Sequence, residues 1–68
     1  MAVYRLILDG ELRDGEPPLT YWFRPSGPKV QINIDHGYAA EPTEERVLLR
    51  PEARKLYRNL LNKGFEAR

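Results

Sequence analysis

A chain of 68 residues without cysteine has no disulfide or thiolate-bound metal to staple it. Chains this short bury only about 60% of their unfolded surface, which leaves room for one layer of helix on sheet and no deep substrate cavity. The formal charge of +1 conceals an uneven distribution: residues 1–45 hold four basic and eight acidic side chains, and residues 46–68 hold seven basic and two acidic ones.

Such asymmetry between halves points to a polyanion or to a partner with a complementary patch. Val3 to Leu8 is too short for a signal-peptide core and is interrupted by Arg5. No apolar run approaches the roughly 20 residues that cross a bilayer. The expectation is a single cytoplasmic domain with no membrane partner.

In chain order, Val3 to Leu8 is a β-rich segment, with Tyr4, Leu6 and Leu8 on one face and Val3, Arg5 and Ile7 on the other. Asp9-Gly10 and Asp14-Gly15 are turn dipeptides around Glu11-Leu12-Arg13. A hairpin tip at Asp9-Gly10 and an acidic loop ended by Pro17-Pro18 both fit. Leu19 to Arg24 is a second strand, with Leu19, Tyr21 and Phe23 on one face and Thr20, Trp22 and Arg24 on the other. Pro25-Ser26-Gly27-Pro28 suits a type I or II turn. Lys29 to Asp35 alternates most cleanly, with Val30, Ile32 and Ile34 inward and Lys29, Gln31, Asn33 and Asp35 outward, which completes an antiparallel hairpin.

Gly37 to Glu45 reads as a loop with Tyr38 as its anchor. Thr43-Glu44-Glu45 resembles a helix start, yet Pro51 disfavours helical geometry at Arg50. Val47-Leu48-Leu49 suits a short edge strand, and residues 46–49 are therefore read as one.

The C-terminal third then forms one amphipathic helix. Pro51 begins it, and Ala53, Leu56, Tyr57, Leu60 and Leu61 recur at the spacing of a buried stripe. Gly64 stops it, and Phe65 falls where a Schellman stop returns an apolar residue against Leu60. The fold class is α+β: a three- or four-stranded antiparallel sheet with one C-terminal helix on one face, in the order β-β-β-(β)-α.

Catalysis lacks a constellation. Ser26 is the only serine and lies in a turn, and His36 is the only histidine. Asp35 beside it on a strand points to the opposite face. A metal at His36 would need Asp35, Glu41 or Glu44, at spacings that match no ligand pattern. Neither an enzymatic activity nor a cofactor, metal or small-molecule substrate is expected.

Binding is better supported. The sheet face away from the helix should display Arg5, Thr20, Trp22, Arg24, Lys29, Gln31 and Asn33. A tryptophan on the outer face of so small a sheet calls for a contact, and Trp with Arg is enriched at protein interface hot spots. The leading expectation is a non-catalytic accessory or adaptor domain that binds another protein or itself through Arg5, Trp22, Arg24, Lys29, Gln31 and Asn33. The alternative is a nucleic-acid-binding domain that uses this face for bases and Arg54, Lys55 and Arg58 for phosphates. A slipped register would instead put Trp22 in the core and Tyr21 and Phe23 outside.

Overall fold

The computed structural model describes residues 3–10, 14–38 and 43–68. Its elements are β1 (Tyr4–Leu8), β2 (Leu19–Ser26), β3 (Lys29–Asp35), β4 (Glu44–Leu49), α1 (Arg50–Asn62) and β5 (Glu66–Ala67). They build one antiparallel sheet in the order β4-β3-β2-β1-β5, with α1 on one face. The class is α+β as the sequence implies, with five strands rather than three or four.

The chain crosses its own sheet. α1 starts directly after β4 at one edge, and β5 follows it at the other, against β1. Thirteen helical residues span about 20 Å at 1.5 Å each. The β4–β1 distance is about 14 Å at the usual strand spacing, so the helix reaches from one edge to the other. Its start is tied to the β2–β3 turn by the Arg50 N–H, which donates to the Pro28 carbonyl at 3.2 Å. Its end carries both Schellman bonds: Phe65 N–H to Leu60 C=O and Gly64 N–H to Leu61 C=O, each 3.1 Å. Gly64 takes φ 101° there, a conformation that costs any other L-residue.

Leu6, Phe23, Val30, Ile32 and Ile34 from the sheet pack with Ala53, Leu60 and Phe65 into the buried core. Ring contacts join the layers. Phe65 meets Tyr21 edge-on at 5.4 Å between centroids, and Tyr57 meets Phe23 likewise at 5.4 Å. Leu56 and Tyr57 are half-buried, whereas Leu61 is 43% exposed. Leu61 is thus removed from the expected stripe, because the crossing angle brings the sheet under the Ala53–Leu60 side of the helix.

Several boundaries move. β2 runs on through Pro25 and Ser26, which leaves Gly27-Pro28 as a two-residue loop. Gly27 has φ 59°. Proline cannot take the positive φ that a type I′ turn needs at its second position, so the turn is type II′ rather than I or II. β4 starts at Glu44, so Glu44 and Glu45 are strand rather than loop or helix start. The helix includes Arg50, one residue before Pro51.

Tyr38, expected to anchor the loop, is 42% exposed. Gly37 is the tight point instead. Its φ is 82°, and a Cβ there would lie 2.6 Å from Pro17 Cβ and 2.9 Å from the Pro18 carbonyl oxygen. Glu11-Leu12-Arg13 and Glu41, named in the loop and metal readings, lie outside the described residues.

Candidate functional site

Directly opposed residues in an antiparallel ladder share a face, so the register places every outer-face side chain. One row runs Glu45–Asn33–Trp22–Arg5, a second Val47–Gln31–Arg24, and a third Leu49–Lys29–Ser26. Arg5, Trp22, Arg24, Lys29, Gln31 and Asn33 therefore share one surface, on the side away from α1. The slipped register does not occur, since Tyr21 and Phe23 join the layer that meets the helix.

Trp22 is half-buried. The Arg5 guanidinium carbon lies 5.4 Å from the centre of its ring, within cation–π range. Arg5 is held in place by its Nε, which donates to the Arg68 carbonyl at 3.1 Å. Arg68 in turn pairs with Asp9 at 2.9 Å and Glu66 at 3.0 Å. Hydrogen bonds to Glu66 and Asp9 hold its guanidinium above its ordinary pKa. Arg68, directly after β5, thus fixes the cation that lies over the indole.

The centre of this face holds a carboxylate. Gln31 Nε2 and Asn33 Nδ2 both donate to Glu45 Oε1, at 3.2 and 3.1 Å. The two planar amides expected to read bases are engaged by a carboxylate that repels phosphate. Beside them β4 adds Val47, 61% exposed, and Leu49, 50% exposed. Glu45, Val47 and Leu49 were missing from the sequence-derived surface, although their alternation with Arg46 and Leu48 is visible. Only the pairing of β4 with β3 tells which alternate set faces outward.

Arg54, Lys55 and Arg58 lie exposed on the far side of α1, where with Pro51, Asn59 and Asn62 they line a shallow depression. None of the three has a carboxylate within ion-pair distance among the described residues. The helix separates this basic surface from the Trp22 face, so the two do not form one site.

The inner face has two corners that the crossing helix leaves open. At one, Tyr4, Phe23, Pro25, Val30, Ala53 and Tyr57 form an open groove of about 350 Å³, rimmed by Arg50 and Arg54. At the other, His36 Nε2 lies 3.2 Å from Glu44 Oε1, and Arg46 lies 3.8 Å from the same carboxylate. His36 is thus joined to Glu44 rather than to Asp35, whose Oδ1 accepts the Gly37 N–H at 2.8 Å. No group of three side chains suited to a metal occurs among the described residues. No described helix is long and apolar enough to cross a membrane. Comparisons with protein-family models, with curated proteins and with solved structures return no match.

Proposed function

We propose that this chain is a non-catalytic accessory or adaptor domain that binds protein through the outer face of its sheet, in a cytoplasmic setting. The carrying observation is the composition of that face. A half-buried Trp22 backed by Arg5 has exposed Arg24 on its own strand, Val47 and Leu49 lie exposed two strands away on the same face, and the central amides are tied to Glu45. Aromatic and arginine anchors sharing a face with exposed aliphatic side chains suit a protein contact. A carboxylate at the centre disfavours a polyanion there.

A second reading, polyanion binding, is supported on the helix alone, by the cluster of Arg54, Lys55 and Arg58 with no acidic partner among the described residues. Photo-crosslinking in cells that make the protein distinguishes the two. A benzoylphenylalanine at Arg24 should yield a discrete protein adduct, lost on Trp22→Ala in a chain whose circular dichroism is unchanged. A probe at Arg58 should give none. Nucleic-acid adducts at Arg58 with nothing at Arg24 would exclude the outer-face reading.

A further inference from the structure

We propose that the β4 edge docks a second copy of this chain, so that two five-stranded sheets join across a twofold axis at Val47. This dimer goes beyond the outer-face reading above, since it joins edges and leaves that surface open. Its result is one continuous outer face carrying two Trp22 patches.

The hydrogen-bond phase shows which backbone groups of β4 have no partner among the described residues. The Arg50 N–H bond to Pro28 continues the β3–β4 ladder one step past the Leu49–Lys29 pair. Paired and unpaired positions alternate in such a ladder, so Glu44, Arg46 and Leu48 bond to β3. Glu45, Val47 and Leu49 then direct their backbone groups away from the sheet. The opposite edge gives the same phase: the Arg68 N–H bond to Arg5, carried strand by strand through the register, again leaves these odd-numbered residues unpaired. An exposed edge is a template for pairing where charge or proline does not block it, and in β4 the charges are confined to Glu44, Glu45 and Arg46, which leaves Val47, Leu48 and Leu49 uncharged.

Symmetry and charge then select a register. For the two sheets to be continuous, inner-face residues must oppose inner-face residues, so the twofold axis passes through a residue. An axis at Glu45 or Arg46 sets that charge against its own copy, and one at Leu48 leaves only residues 47–49 to pair, because the chain turns into α1 at Arg50. Like charges directly opposed are destabilising. An axis at Val47 pairs residues 45–49 and opposes Val47 to Val47, Leu49 to Glu45 and Leu48 to Arg46, with no like charges facing.

It also uses the free groups. Val47 N–H meets the partner's Val47 carbonyl and Leu49 N–H meets the partner's Glu45 carbonyl, each twice by symmetry. The exposed Val47 and Leu49 side chains cover one another across the seam. Glu45 stays clear of them, because Gln31 and Asn33 hold its carboxylate over its own sheet.

The contact is short, at the low end of specific interfaces, so dimers should form at concentrations on the order of 100 µM. Sedimentation of the purified protein from low to high concentration should show monomer passing to dimer. Val47→Lys places two charges at the axis and should leave only monomer. Val47→Pro removes a donor that the monomer does not use and should do the same.

The register is read by cysteines in this cysteine-free chain. Val47→Cys should form a disulfide dimer under mild oxidation, since opposed hydrogen-bonded residues have Cα atoms about 5.5 Å apart. Glu45→Cys and Leu49→Cys should not, because each lies roughly 13 Å from its own copy in this register. Purely monomeric wild type at ~500 µM, well above the expected range, would overturn the dimer, as would association unchanged by Val47→Lys. So would cross-linking at position 45 or 49 in preference to 47. If the purified chain stays monomeric while the Arg24 probe captures a different protein, the outer-face reading survives and the dimer does not. If the dimer forms but the Arg24 probe yields only nucleic acid, the reverse holds.

Discussion

Leu60→Ala against Leu61→Ala tests how α1 lies on the sheet. The two leucines are neighbours on one helix with equal helix propensity, so the local cost of substitution is the same for both. Leu60 is 3% exposed within the core, and Leu61 is 43% exposed. Removing three buried carbons at Leu60 forfeits about 2.4 kcal/mol at ~0.8 kcal/mol per carbon. A residual cavity adds to this, toward the usual 2–5 kcal/mol range. A working value is ~3 kcal/mol.

A domain of this size has roughly 3–10 kcal/mol in total, and its melting point moves about 4–8 °C per kcal/mol. Leu60→Ala should therefore lower the melting point by roughly 12–24 °C or unfold the chain outright. Leu61→Ala should change stability by no more than ~0.5 kcal/mol, the scale of surface substitutions. Urea denaturation followed both by far-ultraviolet circular dichroism and by Trp22 fluorescence gives both values. Coincident transitions license the two-state treatment. Equal losses at the two positions would refute the packing described for α1.

Gly37→Ala should destabilise by about 1–3 kcal/mol, since the added carbon requires φ near 82° and meets Pro17 and Pro18; a stability equal to wild type in the same urea assay would contradict this close approach. On the helix, three unpartnered cations predict a log–log salt slope near −2.7 for duplex DNA, about −0.9 per phosphate. Arg54→Ala with Arg58→Ala should flatten it by about two units. Absence of binding at ~50 mM salt, where such association is strong, would leave the helix surface without a polyanion role.

The parts of this fold legible in the sequence are those set within one element. Alternation over Lys29 to Asp35 and Leu19 to Arg24 assigns each side chain a face, because the strand period is two. Hence alternation alone groups Trp22, Arg24, Gln31 and Asn33 on one face. Proline at the start and Gly64-Phe65 at the end delimit α1 through local backbone geometry and orphan hydrogen bonds, and the observed Schellman bonds agree.

Tertiary structure decided whatever depends on pairing across the chain. Glu66–Ala67 has no pattern of its own and becomes a strand only because α1 delivers it to the free edge of β1. The capture of Gln31 and Asn33 by Glu45 spans 14 and 12 residues, and it follows from a β3–β4 register reached through a loop. Leu61 satisfies the helical stripe as well as Leu60 does, but which flank is buried depends on how the helix crosses the sheet. Periodicity within a segment reports which side chains share a face; the docking of one segment on another chooses what that face meets.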